Sequence, residues 1–423
     1  MFKKLWGSIF CGVFFPLAMV HAAVPLVDID MSPNELFDSP NDARHYAFPV
    51  KPSIGNKRPC VPVVTWNGYW NCLQVSTLYG EFNVKEPVLI ALFNCNALLR
   101  IAGIHQYGFV SYVTPWTHTA YYSRYVHSVG VWSLMRRFNA SLEDQIIGLL
   151  HDVSHTVFSH VGDYLYNHSA AIHGTSYQDE VHPQFLKEMG VDQILAEYGY
   201  DLDVLLQSPC LMLDQKSPEV CADRLEYTLQ AGLLNDLINE NDVKYIIKSL
   251  NYDFKRKYWF FSNVEAARQF AEISLYTTEY VVGAAWNHII YSWMADALKI
   301  ARSNYIVNED QIRYSNDQMV WDILMTCRNE QIQQALYKIN HYDELIHVCV
   351  NEDEPYDIVV RTKFRGINPL VKNGRKKISH LTECDPEFAA EFMRVQKIIK
   401  NGWRVKFVGE LEGVPQNIST VIS

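Results

Sequence analysis

From Glu86 onward the chain alternates between apolar stripes at helical spacing and short polar breaks. Leu89, Leu92 and Phe93 open one stripe, and Leu98, Leu99 and Ile101 extend it as far as Gln106-Tyr107-Gly108, where glycine marks a stop. Residues 123–138 read as a second helix. Ser141, with Asp144 three residues on, is an imperfect capping box for a third, in which Ile146, Leu149, Leu150 and Val153 recur at i, i+3, i+4 and i+7. Residues 157–166, 217–240, 263–303 and 317–338 carry the same helical character. The flanks differ. Residues 23–85 are rich in Pro, Asn, Gly and aromatics, and 61–66 and 73–83 have strand character with Asn67-Gly68 as a turn between them. In the tail, 356–364 and 403–408 read as strands and 386–400 as a helix. The pattern predicts a mainly α protein: a β-rich N-terminal extension over 23–85, a helical domain over 86–340, and a small α+β C-terminal appendage over 341–423. There is no internal repeat and no low-complexity linker.

Composition bounds what such a protein does. A chain of 423 residues with 48% apolar and 20% charged residues is an ordinary globular protein, and 13% aromatic content suits a large core. The formal charge of -10 and the lack of a long basic run argue against general nucleic-acid binding. A phosphorylated substrate would need a local cationic pocket. Lys3 and Lys4 precede an apolar run over 9–20 that is short for a bilayer span, and Val20-His21-Ala22 before Ala23 offers a cleavage point. This predicts a signal peptide over 1–22 and an exported protein, periplasmic or secreted, with no membrane-spanning segment afterwards. Cys11 leaves with the leader and eight cysteines remain, an even number that permits bridges. Cys60 and Cys72 flank the aromatic hairpin candidate and are the preferred pair; buried free thiols are the alternative.

The chemistry concentrates at His151-Asp152. The pair ends an apolar-striped helix, so it faces the interior or a cleft. A buried Asp beside a buried His is costly unless something satisfies both, and a divalent cation does so with ordinary imidazole and carboxylate ligands. His155, His160 and Asp163 follow within one short stretch, and His127 lies one helix earlier. Any one of these alone reads better as a core histidine with satisfied hydrogen bonds; the density of them points to a site.

His127 in Arg124-Tyr-Val-His127, then His151-Asp152-Val-Ser-His155-Thr-Val-Phe-Ser-His160-Val-Gly-Asp163, then Asp223 in Asp223-Arg224-Leu-Glu-Tyr227, resemble the HD-domain metal-dependent phosphohydrolases. The branch of deoxynucleoside triphosphate triphosphohydrolases, with the animal SAM-and-HD-domain enzyme and its bacterial relatives, is the most similar. The segment Leu98-Leu-Arg100 to Gln106-Tyr-Gly108 also resembles the helix ahead of the first metal histidine there. The resemblance covers about residues 86–235. It implies an HD-domain helical core and one divalent ion (Mn, Fe, Zn, Ni or Mg) held by His127, His151, Asp152 and Asp223. It further implies His155 and Asp163 as an acid–base pair, Arg124 and Arg224 as phosphate contacts, and Gln106 and Tyr227 as sugar-pocket residues, with His160 in support. The implied substrate is a phosphorylated small molecule, foremost a nucleotide cleaved to nucleoside and tripolyphosphate.

The departures matter. The family's further His-Glu dipeptide is replaced around Gln178, where Asp179 and His182, or His173, could fill a related role. A carboxylate that reads the sugar 3'-hydroxyl is replaced by Gln230-Ala231. That loss weakens the case for a deoxynucleotide without touching the metal chemistry. An HD-type phosphomonoesterase or phosphodiesterase is therefore an alternative within enzymes. A metal-containing nucleotide-binding protein without turnover is the alternative outside them. Association of the chain into homo-oligomers is left open. Lys363, Arg365, Lys372, Arg375, Lys376 and Lys377 form a basic tail patch, read as a solvated face or a polyanion contact. Tyr258-Trp-Phe-Phe261 reads as core.

Overall fold

A computed structural model describes residues 62–67, 72–113, 122–167, 176–351, 353–372 and 378–408. The described residues all belong to one compact unit. The expected leader, Cys60 of the preferred disulfide pair, Gly68, His173 and residues 375–377 lie outside the described residues. The described cysteines, Cys72, Cys95, Cys210, Cys221, Cys327, Cys349 and Cys384, are free thiols. No described helix is long and apolar enough to cross a membrane.

The protein is mainly α with small sheets, as the pattern predicts. Val63–Asn67, Cys72–Thr77 and Gly80–Val84 form an antiparallel meander, with Val75 opposite Val64 on one side and Phe82 on the other. The expected strand over 73–83 is thus two strands. Thr77 Oγ1 accepts from the Tyr79 amide at 3.1 Å and Gly80 takes φ +142°, so the chain reverses there.

Two helices carry most of the site's foundations. Ser123 caps Arg124–Arg137 and Ser141 caps Leu142–Leu150, each hydroxyl accepting the backbone N–H three residues on. The stripe of Ile146, Leu149, Leu150 and Val153 is fully buried. The helix expected over 263–303 is interrupted: Val264–Thr277 passes through a π-helical turn, Thr278–Val282, before Ala285–Ser303 resumes. Gly283 lies directly against the Thr278 carbonyl, where a side chain would collide. The helix expected over 317–338 likewise divides into Asp317–Thr326 and Glu330–Asn340. The aromatic run Tyr258–Phe261 is a strand that buries Trp259 and Phe261 on its inner face, antiparallel to Leu250–Asp253.

The C-terminal region is woven into the rest. Leu370–Lys372 pairs in parallel with Tyr258–Phe261 and antiparallel with Ile378–His380, so one sheet holds strands from both regions. From the Pro386–Asn401 helix, Arg394 reaches buried Glu279 of the π-helical turn with both terminal nitrogens.

Candidate metal centre

Helical periodicity sets the inner face of the site. Ser123 fixes the start of its helix, so Arg124 and His127 stack one turn apart on the same side. Asp223 and Glu226 have the same relation in Ala222–Leu234. Gly130 allows the two helices to approach closely, since a Cβ there would sit 2.7 Å from Glu226 Cγ. His151 is the C-cap of Leu142–Leu150, and Asp152 follows as the chain leaves the helix.

The ligand atoms converge. His127 Nε2 lies 3.2 Å from His151 Nε2 and 3.0 Å from Asp223 Oδ1. Asp152 places Oδ2 3.6 Å from His127 Nε2 and Oδ1 3.6 Å from His151 Nε2. The other ring nitrogens are already committed: His127 Nδ1 donates to Glu226 Oε2 at 2.6 Å and His151 Nδ1 donates to the Gly148 carbonyl at 2.9 Å. In the neutral rings, both Nε2 atoms therefore present lone pairs to each other and to two carboxylates. His127, His151 and Asp152 form a buried group whose ligand atoms lie close to one another, with Asp223 Oδ1 beside both imidazoles and the ring tautomers fixed from behind, an arrangement suited to a metal ion. The chain's residues fit such an ion. A second group of ligand types, His347, Cys349 and Glu354, sits half-exposed on the C-terminal sheet without comparable orienting partners for its histidine.

The electrostatics agree. Burial pulls the His127 imidazolium down, but its bonds to Asp223 and Glu226 outweigh that and push it up to about 10. Burial raises Asp152, yet Arg124, His151 and His155 hold its carboxyl well below the usual range. Asp223 is depressed in the same way, against its burial, by His127 and His151. The cluster draws positive charge to its centre.

Around it, Arg124 is almost wholly buried and bonds Asp152 through Nη1, Ser159 Oγ through Nε at 2.8 Å, and the Gln106 carbonyl through Nη2 at 3.5 Å. The loop it grips contains Phe158 and Ser159 at φ +59° and +56°, a strained conformation for non-glycine residues. Buried Asp317 restrains that loop by accepting from the Phe158 amide at 2.6 Å and the His105 amide at 2.7 Å. Arg100 restrains its other end, donating to the carbonyls of Val153 and His155 at 2.8 and 2.6 Å.

The remaining expected residues divide. The expectation joined Asp163 to His155, but the structure joins it to His160: Asp163 Oδ2 meets His160 Nδ1 at 3.1 Å, while its Oδ1 accepts from the Tyr177 amide. His155 turns its Nε2 to Asp152 Oδ1 at 3.4 Å, with its ring centroid 5.0 Å from that of His160. Burial, reinforced by Arg124, pushes the His155 imidazolium down to about 3. His182 meets Ser154 Oγ at 2.8 Å, and burial takes it down to about 4. Gln178 shares Ser154, at 2.6 Å from Oε1. Asp179 is exposed and serves as the capping-box carboxylate of Tyr177–Glu188. Arg224 donates to the Glu219 carbonyl at 2.7 Å and lies 3.7 Å from Asp214. Gln106 Oε1 is buried without a hydrogen-bond partner. Burial raises the Tyr227 hydroxyl, and nearby Asp223 adds to it.

Sequence reading missed Glu226, Arg100 and Asp317. Glu226 is fully buried and also accepts from Tyr122 and, at 3.3 and 3.2 Å, from Tyr79 and Gln230. Its position one turn after Asp223 was the available signal. Glu226→Gln keeps the shape but presents either an amide N–H or a neutral acceptor to His127. Metal affinity, read by competition with a chelator, is expected to fall about ten- to a hundredfold, the usual cost of removing an outer-shell carboxylate. An unchanged affinity would remove Glu226 from the site.

No protein-family model matches the chain. It is 33% identical over 301 residues to the uncharacterized protein YdhJ of Bacillus subtilis, covering 70% of this chain and 86% of that protein. It is 27% identical over 337 residues to the metal-dependent phosphohydrolase cns2 of Cordyceps militaris, covering 74% of this chain and 89% of the relative. Two solved structures share the fold. A hypothetical protein from Aquifex aeolicus gives a TM-score of 0.55 at 18% identity, over 78% of this chain and 94% of its own. A phosphohydrolase from Bacteroides thetaiotaomicron gives 0.54 at 15%, over 82% and 100%. At 18% and 15% identity these two structures show a shared fold, and the relative named as a metal-dependent phosphohydrolase is similar over most of its length. The chain belongs to the family of YdhJ.

Proposed function

We propose that the protein is a metal-dependent phosphohydrolase acting on a nucleotide or related phosphate ester, with one divalent ion held by His127, His151, Asp152 and Asp223. The observation that carries this is the 3.2 Å approach of two imidazole Nε2 atoms whose Nδ1 atoms are both engaged elsewhere. An ion bound there supplies Lewis-acid polarisation of a phosphoryl oxygen and a lowered pKa for water. The chain's own residues do the rest. Arg124 holds Asp152 in place and Glu226 holds His127. His160, oriented by Asp163 and 39% exposed at its side chain, is placed to exchange a proton with the leaving oxygen. This gives His160 the proton-transfer role that the resemblance assigned to His155. The unpartnered Oε1 of Gln106 offers an acceptor for a substrate hydroxyl.

A triphosphohydrolase remains the resemblance-based subtype. A second reading, a phosphomonoesterase or phosphodiesterase, is favoured by one feature: Ala231, where the resemblance expects a sugar carboxylate, is 2% exposed and apolar. The signal-like N-terminus keeps export as part of the proposal. Metal analysis of the purified protein, followed by a phosphate-ester panel with product identification, tests the function. Intact tripolyphosphate marks the first subtype, and orthophosphate or a released monoester the second. Thermal stabilisation by nucleotides without hydrolysis under several metals would overturn the enzyme reading.

A further inference from the structure

Between strands Ile358–Val360 and Leu370–Lys372 the chain runs as a strap of irregular backbone over residues 361–369. It is pinned at both ends. Thr362 Oγ1 donates to the Gly283 carbonyl at 3.0 Å, the Ile367 amide to Ser274 Oγ at 2.9 Å, and the Asn368 amide to the Pro218 carbonyl at 3.0 Å. Thr362, Gly366, Ile367 and Asn368 are buried, whereas Lys363 and Arg365 are exposed. Gly283 leads into Ala285–Ser303, which carries His288 and Tyr291. Tyr291 donates to the Tyr107 carbonyl at 2.8 Å, and His288 Nδ1 meets Tyr164 at 2.5 Å, next to Asp163. On the other side, Pro218 leads through Glu219, whose carbonyl holds Arg224, to the metal ligand Asp223. The strap is thus tied between the two segments that flank the centre.

The charges on it act inward. Arg365 acts electrostatically on buried Tyr164, Tyr291 and His288, and on Tyr227. Partial desolvation beside the protein surface lowers the Lys363 ammonium, and Arg365 and Arg224 lower it further, while Asp214 and Asp179 partly offset them. Lys363 thus feels both Arg365 on its own strap and Arg224, the neighbour of Asp223. Among the described residues neither Lys363 nor Arg365 has a side-chain hydrogen bond or ion pair, and Arg224 has the Glu219 carbonyl at 2.7 Å and Asp214 at 3.7 Å. Asp214 and Asp179 offset these cations only in part, which favours an anion joining them. Arg124 cannot provide that welcome freely, because Asp152, Ser159 and Gln106 occupy its nitrogens.

We propose that Lys363 and Arg365, delivered by the 361–369 strap, bind non-bridging oxygens of the substrate's phosphate and set affinity for phosphorylated over neutral ligands. The proposal rests on the phosphohydrolase reading for the identity of the ligand. It also divides the basic tail patch, assigning its first two cations to the site. Arg and Lys suit this task through bidentate and point-charge contacts respectively.

The test titrates inorganic phosphate into the full, metal-loaded chain by calorimetry. It compares the parent with Lys363→Ala/Arg365→Ala and with Arg365→Lys. The double variant is expected to weaken phosphate at least tenfold and flatten its salt dependence, with the unfolding temperature unchanged because both side chains are exposed. Arg365→Lys, which keeps the charge, is expected to retain more affinity than the double variant. In turnover, the double variant is expected to raise KM more than it lowers kcat. Phosphate affinity and KM that survive the double substitution would overturn the strap's role while leaving the enzyme reading intact. Phosphate binding lost with the strap, in a protein that hydrolyses no phosphate ester, would support the strap and overturn the enzyme reading.

Discussion

Asp223→Ala is expected to lose bound metal and nearly all hydrolysis while folding almost as stably as the parent. The Asp223 side chain is 31% exposed and faces His127 and His151, with no buried arginine depending on it. Its removal takes a carboxylate from beside His127, but Glu226 and Asp152 still face that imidazole, so stability should fall by about 1–2 kcal/mol, less than where a buried pair is broken outright. The fall in kcat/KM should be about a thousandfold or more, the scale on which loss of electrostatic stabilisation in a water-poor site is felt. Asp152→Ala makes the contrast. It too should lose metal and activity, but it also strands the guanidinium of Arg124, which is 2% exposed. Breaking a buried pair in this way costs about 3–5 kcal/mol. Metal content per chain, initial rates and thermal unfolding on both variants separate the two effects. Stoichiometric metal retained in Asp223→Ala, with the parental rate, would place the reaction elsewhere.

The second large effect concerns proton transfer. His160→Ala is expected to lower kcat about 10²–10⁴-fold, the range of a positioned acid or base, with metal content unchanged. Asp163→Asn should cost less, since its amide oxygen can still accept from the Tyr177 amide and His160 remains, though without a charged partner to orient it. His155→Ala should behave differently. Its imidazole is 3% exposed and turned to Asp152, so its loss disturbs the ligand carboxylate and should lower metal affinity. Measuring metal occupancy beside kcat in the three variants decides between the pairings. If His160→Ala is silent while His155→Ala abolishes turnover with metal retained, Asp163 serves His155 after all.

The strap and the proton-transfer pair have a common consequence for specificity. Residues deep in the site come from the helices that make the centre, whereas the free cations come from the far end of the chain. Changing residues 361–369 could thus alter which phosphate ester is held without moving a metal ligand.

What the sequence determined by itself was local. The Ile146, Leu149, Leu150 and Val153 stripe put His151-Asp152 at an inward-facing helix end, and Ser123 and Ser141 marked the starts of two site helices. Helical spacing and capping act over a few residues, so they are written in adjacent positions. The tertiary structure decided the rest. Glu226 lies 99 residues from the His127 ring it orients, Asp317 159 from the Phe158 amide it restrains, and Arg100 55 from the His155 carbonyl it holds. Asp163 had two histidines within reach along the chain, and only the turn before Val161–Leu165 selected His160. Lys363 and Arg365 looked like part of a solvated basic run until Gly283, Ser274 and Pro218 fixed where their backbone passes. Partners so far apart in sequence leave no periodic trace, because the closure that joins them is made by packing rather than by helix geometry.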